Sequence, residues 1–390
     1  MSLFFDVAFQ SLVKYNEELC GDIVQVVRLK DRLIVVMADG LGSGVKANIL
    51  ATLTAKITST MLKGGADIYE TMDTVVNTLP ICKERNIAYA TFTLVQIYED
   101  GETYLVEYEN PSFILVRSGS RMDMPKKEIV INEKKIVESR FYIKEGDAIV
   151  ILSDGVVNAG PGNTMNMNWS IDNIRDYLER SISDQIDAKS TTEDLIDITY
   201  SLYGGRCYDD ATVVTIKAVM PKYVDLFTGP PLNKEVDSKL IKEFMKSRGK
   251  KIICGGTAGN IAARELKRKI KISTEKIYNG VPPTGRMEGI DLITEGVVTL
   301  NRAIENIKKY KDNFDNGNKG MKIIGEDGAS KLTRILINEC THLTLWIGKA
   351  TNPAHKKDDF PKELSIKLKL IKELRDIMVE LGKKVEVKEI

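Results

Sequence analysis

Leu33-Ile34-Val35-Val36-Met37-Ala38-Asp39-Gly40-Leu41-Gly42-Ser43-Gly44 decides the reading of the first half of this chain. Leu33 to Met37 is a short apolar run rich in β-branched side chains, and it stops at Ala-Asp-Gly. That pattern reads as a buried strand meeting a turn. Gly42 and Gly44 follow, and Val45 to Met61 carries helix-compatible residues. A second apolar run, Ala148 to Leu152, stops in the same way at Ser153-Asp154-Gly155. In a third, the acidic pair comes first: Asp209-Asp210 opens the strand Ala211 to Ile216.

Between these runs the chain is strand-rich. Ala88 to Tyr98 alternates in character, Asp100-Gly101 turns it, and Thr103 to Glu109 completes a hairpin. Phe113 to Arg117 and the stretch Ile129 to Tyr142 supply further strand, while Met167 to Ser183 and Thr191 to Tyr203 read as helices. Strands in series with a few long helices predict an α+β sandwich over residues 1–220. Pro221 and Gly229-Pro230-Pro231 then suggest a linker over 221–232. Residues 233–390 alternate between helix and strand, which predicts a separate α/β domain. Its expected elements include helices at Glu235–Arg248, Ile261–Lys271, Ile293–Tyr310, Ala329–Asn338 and Leu364–Leu381. Expected strands are Lys250–Cys254, Met321–Gly325, His342–Gly348 and Val385–Lys388.

Composition narrows the chemistry. A formal net charge of +1 gives no overall field toward nucleic acid or a membrane surface. No basic leader precedes an apolar core, and no apolar run approaches the ~20 residues that span a bilayer. Cys20, Cys82, Cys207, Cys254 and Cys340 stand apart with no zinc-ligand spacing, which fits free thiols in a reduced cytoplasm. Only His342 and His355 are present, so a His-rich metal site is excluded. Any metal must take oxygen ligands, which favours magnesium or manganese.

The acidic positions share one layout. Asp39 and Asp154 each close a buried strand and precede glycine, and Asp209 and Asp210 open another. Each Asp-Gly alone also reads as an ordinary turn. As a set, the three sites bring several carboxylates to one sheet edge. Such a group repels itself unless cations neutralise it, and divalent ions there would also activate water.

Cys20-Gly21-Asp22, Met37 to Gly44, Leu152-Ser153-Asp154-Gly155-Val156 and Asp209 to Val214 resemble the ordered motifs of PP2C-type phosphatases. The likeness is to the bacterial branch typified by SpoIIE and the stress-response phosphatases. It spans residues 15–218 or so, and Asn110-Pro111-Ser112-Phe113 also resembles a family segment. The resemblance implies a PP2C-like β-sandwich flanked by helices, and a hydrolase acting in signalling. Asp39 would bridge two manganese or magnesium ions, the Gly40 carbonyl would bind one, and Asp154 and Asp209 would complete the second site. Asp22 would act through bound water, and a metal-activated water would attack phosphorus in line. Asp210 matches a position that varies in the family. The resemblance further implies a phosphorylated protein substrate, such as an anti-sigma-factor antagonist. Leu41 stands where eukaryotic relatives have His, so phosphate recognition falls to the metals and to backbone amides near Gly42 to Val45.

Beyond the resemblance, Gly255-Gly256-Thr257-Ala258-Gly259-Asn260 sits between a strand and a helix. It reads either as a tight turn or as an anion loop at a helix amino end. Lys267-Arg268-Lys269 and Lys308-Lys309 read as solvated helix faces, Trp346 as core, and Pro282 to Arg286 as an ordinary turn in preference to a partner loop. His355 with Asp358 and Asp359 reads as loop decoration. The alternative to an enzyme is a catalytically degenerate phosphatase fold that serves as a scaffold, with a ligand-binding C-terminal domain.

Overall fold

The computed structural model describes residues 2–78, 81–82, 87–88, 90–131, 134–160, 169–182, 186–272, 282–315, 323, 325–350 and 360–390. The chain divides into two compact units, Met1–Met220 and Pro221–Ile390.

The first unit runs β1 (Phe4–Leu12), β2 (Asp22–Arg28), β3 (Arg32–Gly40), α1 (Gly44–Lys63), α2 (Ile68–Thr78), β4 (Ile81–Cys82), β5 (Ile87–Ala88), β6 (Ala90–Tyr98) and β7 (Glu102–Tyr108). It continues with β8 (Ile114–Arg117), β9 (Ser120–Met122), β10 (Lys127–Ile131), β11 (Lys134–Tyr142), β12 (Ala148–Leu152), α3 (Asp154–Val157), α4 (Ile171–Ser181), α5 (Ala188–Leu202) and β13 (Ala211–Val219). Two antiparallel sheets, ordered β1-β13-β12-β8-β9 and β10-β11-β7-β6-β3-β2, form a sandwich.

Strand periodicity explains why β3 is apolar throughout. Leu33, Val35 and Met37 pack between the sheets with Val95, Leu105, Ile151 and Val214. Ile34, Val36 and Ala38 face the other way, onto Ala51 and Ala55 of α1 and Met72 and Val75 of α2. A strand buried on both faces reads as a continuous apolar run, whether its sheet is parallel or antiparallel. The second sheet is covered by α4 and α5, with Leu178 and Leu195 against Val150, Leu152 and Val213. The unit is thus a four-layer α+β sandwich.

The second unit runs β14 (Tyr223–Thr228), α6 (Asp237–Lys246), β15 (Lys250–Cys254), α7 (Gly256–Leu266), β16 (Lys271–Ile272), β17 (Gly285–Met287) and β18 (Ile290–Thr294). It ends with α8 (Val297–Asp315), α9 (Gly328–Asn338), β19 (His342–Ile347), α10 (Phe360–Glu380) and β20 (Lys384–Glu389). Its sheet is ordered β16-β17-β18-β15-β14-β19-β20, and β18, β15, β14, β19 and β20 are parallel neighbours. Taken in chain order, the parallel strands lie 3-2-1-4-5, a doubly wound arrangement. Helices α6 and α7 cover one face through Phe244 and Ala262. Helices α8, α9 and α10 cover the other through Ile304, Leu332 and Leu374.

Three sequence expectations are corrected. Residues 221–232 are not a linker: β14 is the central strand, because Val224, Leu226 and Phe227 are fully buried between its flanking prolines. Helix α8 begins at Val297, since Ile293 and Thr294 finish β18. Helix α7 starts at Gly256 rather than Ile261, so most of the glycine-rich loop is helical. The expected strand at 321–325 lies largely outside the described residues, and His355, Asp358 and Asp359 lie wholly outside them.

Candidate metal centre

The sandwich brings four strand ends to one edge. β2 begins there, β3 ends there, and the two pair so that Asp22 lies directly across from Asp39. On the other sheet β12 ends and β13 begins, paired antiparallel, so Asp154 follows one strand and Asp209-Asp210 precede its neighbour. Asp39 shares the strand face of Val35 and Met37, which packs between the sheets. The predicted residues Asp22, Asp39, Asp154 and Asp209 therefore meet, although they are far apart in sequence.

The two Asp-Gly pairs are not turns. Asp39 and Gly40 are the last residues of β3, and Asp154 opens the short helix α3. Their glycines are demanded by close approach. A Cβ on Gly40 would collide with the carbonyl oxygen of Ala47 in α1, and one on Gly155 with that of Asp210. Each glycine lets a neighbouring backbone press against the acidic edge. Tyr203 Oη donates to the Gly155 carbonyl (2.6 Å) and fixes that turn of chain.

The electrostatics are those of crowded anions. Burial, then the charges of Asp22, Asp154 and Asp209, push the Asp39 carboxyl up to about 9, with a hydrogen bond to Asp154 adding to the rise. Burial likewise raises Asp22 to about 6. The hydroxyls of Thr212 and Ser153 offset part of that rise, yet neither Asp22 oxygen has a partner in hydrogen-bonding geometry among the described residues. Asp209 is raised by burial and by Asp154, against the opposing charge of Lys14. The Cys20 thiol is held far above its usual range, first by burial and then by Asp22 and Asp210. It is a neutral group, not a nucleophile.

These residues suit hard divalent cations. Among the described residues no three His, Cys, Asp or Glu side chains are already drawn into a closed cage. The carboxylates line a common edge instead, close enough to raise one another's pKa. Both oxygens of Asp22 and Oδ2 of Asp210 are buried acceptors without a donor among the described residues. Buried carboxylate oxygens in that state call for cations, and an all-oxygen donor set matches magnesium or manganese.

Other residues at the edge were given no firm role from sequence. Asp210 is buried beside Gly21 and accepts from the Lys14 amide through Oδ1 (3.0 Å). Asn110 ties the sheets together, donating from Nδ2 to Thr93 Oγ1 (2.7 Å) and to the Leu152 carbonyl (3.3 Å). The β1–β2 connection crosses the edge: the Tyr15 amide donates to the Cys207 carbonyl (2.7 Å), and Ser43 Oγ donates to Glu17 Oε1 (2.8 Å). Glu17 thus covers the amino end of α1, where the Gly42 to Val45 amides were expected to receive phosphate.

In the second unit, Gly255 (φ 120°) is the turn between β15 and α7. Gly256, Thr257 and Gly259 lie in the first turns of α7. Trp346 is core as expected, and its Nε1 donates to Oδ1 of the buried Asp225 (2.7 Å), whose Oδ2 pairs with Lys251 (3.1 Å). Lys267 is the C-cap of α7, and Arg268 beyond it donates to the Glu288 carbonyl (2.8 Å).

This edge, on a two-sheet sandwich covered by helices, defines a PP2C-like phosphatase domain. Residues 30–219 match the family of Stage II sporulation protein E (SpoIIE). Among solved structures, the phosphatase domain of SpoIIE from Bacillus subtilis is 18% identical, with a TM-score of 0.44, over 56% of this chain and 94% of that one. The RsbU and RsbW domains of a Mycobacterium tuberculosis protein are 18% identical, with a TM-score of 0.46, over 62% and 70%. RsbX in complex with magnesium is 20% identical, with a TM-score of 0.40, over 55% and 95%. No curated protein matches the chain.

Proposed function

We propose that the chain hydrolyses phosphoserine or phosphothreonine on a regulatory protein, using two manganese or magnesium ions held at the acidic edge. The observation that carries this reading is the convergence of Asp22, Asp39, Asp154 and Asp209, with buried carboxylate oxygens that have no donor. Asp39, Asp154, Asp209 and the Gly40 carbonyl would hold the ions, with Asp22 alongside. When bound, such ions supply Lewis-acid charge for phosphoryl oxygens and make water a competent nucleophile near neutral pH.

The chain's own residues do the rest. Close packing at Gly40 and Gly155 fixes the strand ends, and Asn110 holds the sheets at the spacing the carboxylates require. Lys14 is the cation whose charge reaches Asp209, placed to attract a dianionic phosphate. Glu17 must leave the amino end of α1 before phosphate can use those amides. No cysteine or histidine nucleophile is required, in keeping with the neutral Cys20.

By family likeness, the substrate is a small phosphorylated regulator of the anti-sigma-factor-antagonist kind. Location in the cytoplasm is supported by free Cys20, Cys207, Cys254 and Cys340. Among the described residues no helix is long and apolar enough to cross a membrane. The second unit would regulate activity or select the substrate. The test is phosphate release from a phosphoseryl peptide by the purified chain with manganese. Release should be abolished in Asp39→Asn and Asp154→Asn; equal release by all three proteins would refute the proposal.

A further inference from the structure

The second unit carries an unexplained concentration of positive ends at the carboxyl edge of its sheet. Thr228, the last residue of β14, is in register with Cys254, the last of β15. Gly229 and Gly255 therefore lie abreast, about one strand spacing apart. Gly255 in turn touches Gly296, so the amino ends of α7 and α8 abut. The ammonium of Lys367, on α10, lies directly over Gly229.

This is the switch point of the doubly wound sheet. The chain leaves β14 for α6 on one face and leaves β19 for α10 on the other. Ligands of such sheets bind outside the carboxyl ends of the strands at that point. Lys367 has no hydrogen-bond or ion-pair partner among the described residues. Burial lowers its pKa to about 8. The nearby Cys254 thiol is pushed up to about 11 by burial, so it is neutral and offers no counter-charge. A desolvated ammonium without an anion is costly. Two helix amino ends beside it add positive potential.

Two further observations point to a ligand. Thr299, in the first turn of α8, is fully buried and its Oγ1 has no partner among the described residues. A cavity of about 630 Å³ opens against the α7 amino end, lined by residues that include Gly256, Gly259, Asn260, Arg268, Lys269 and Glu295. A Cβ on Gly256 would meet nothing within 4 Å among the described residues, so a ligand can approach that backbone. The volume suits a small organic molecule.

We propose that this edge binds a small phosphate ester, with its phosphate on Lys367 and the amino ends of α7 and α8 and its organic part in the adjoining cavity. This goes beyond the phosphatase reading and does not depend on it. The second unit would then sense a phosphorylated metabolite, either a nucleotide or a sugar phosphate.

The test uses the full chain in EDTA, so that the acidic edge of the first unit plays no metal-dependent part. Inorganic phosphate, AMP and glucose 6-phosphate are titrated by calorimetry and by thermal shift. At least one ester should bind more tightly than inorganic phosphate, and which ester does so identifies the source. Lys367→Met should weaken that binding roughly tenfold or more, while the unliganded melting temperature stays level or rises, because a partly buried charge with no partner among the described residues is gone. Gly256→Val, whose side chain enters open space, should fold normally and also lose binding. If none of the three probes binds wild type, or if Lys367→Met binds as well as wild type, the proposal is overturned. A fall in the unliganded melting temperature of Lys367→Met would also count against it, by showing that the ammonium is already compensated within the protein.

Discussion

Replacing Asp39 with Asn should make the metal-free protein more stable while removing a ligand of the proposed metal site. Asp39 is raised from its ordinary value of 3.8 to about 9. A carboxyl raised in this way keeps its proton in the folded state where the unfolded chain has lost it. Its contribution to stability is therefore complete below pH 3.8 and is lost as pH climbs toward 9. From pH 3.8 to 7 that spans roughly three pH units at about 1.4 kcal/mol each, a ceiling of about 4 kcal/mol. Asp22 and Asp209 share the same field, and a proton on either relieves part of the repulsion. A net gain of about 2 kcal/mol is expected for Asp39→Asn at pH 7. For a domain of this size that corresponds to roughly 4–8 °C in melting temperature. The assay is scanning calorimetry of the full chain in EDTA between pH 5 and 8, following the transition that responds to metal. Wild type should melt lower as pH rises, and Asp39→Asn should melt higher with a flatter profile. If Asp39→Asn melts below wild type in EDTA at pH 7, the carboxylates do not repel as argued.

Adding manganese or magnesium to wild type should raise the melting temperature, and more at pH 8 than at pH 6, because cations replace protons on Asp22 and Asp39; a shift independent of pH would contradict this. Gly40→Ala and Gly155→Ala each drive a Cβ into a backbone carbonyl oxygen, so each should cost about 3 kcal/mol or more in urea denaturation; normal stability in either would show that the close approach is not needed. Asn110→Ala removes the tie from Thr93 and the Leu152 carbonyl and should cost about 1–3 kcal/mol, with weaker manganese binding in calorimetry as the sheet edges lose their spacing.

Much of the first unit was legible because its signals are local. The apolar runs ending at Asp39 and Asp154 fix strand, burial and edge together, and the family motifs give their order. What was hidden depends on contacts between distant segments. Asp-Gly suggested turns, yet Gly40 and Gly155 are required by backbones seven and 55 residues away. Glu17 over α1 has no spacing rule that would reveal it, and Asn110 stood out only within a family-like segment, without its role between the sheets. In the second unit, prolines on both sides of Tyr223–Thr228 disguised a central strand as a linker. Its burial comes from β15 and β19, which follow later in the chain. The Gly255 segment was visible as a candidate, but Lys367 was not, because it reaches the same edge from over 100 residues further on.

The most direct measurement is a calorimetric count of manganese ions bound by wild type, Asp39→Asn and Asp209→Asn. Two ions should bind wild type, both should be lost in Asp39→Asn because in the proposed site it would bridge them, and Asp209→Asn should lose one. A wild type that binds no manganese, or an Asp39→Asn protein that binds it as wild type does, would contradict the metal centre on which the account rests.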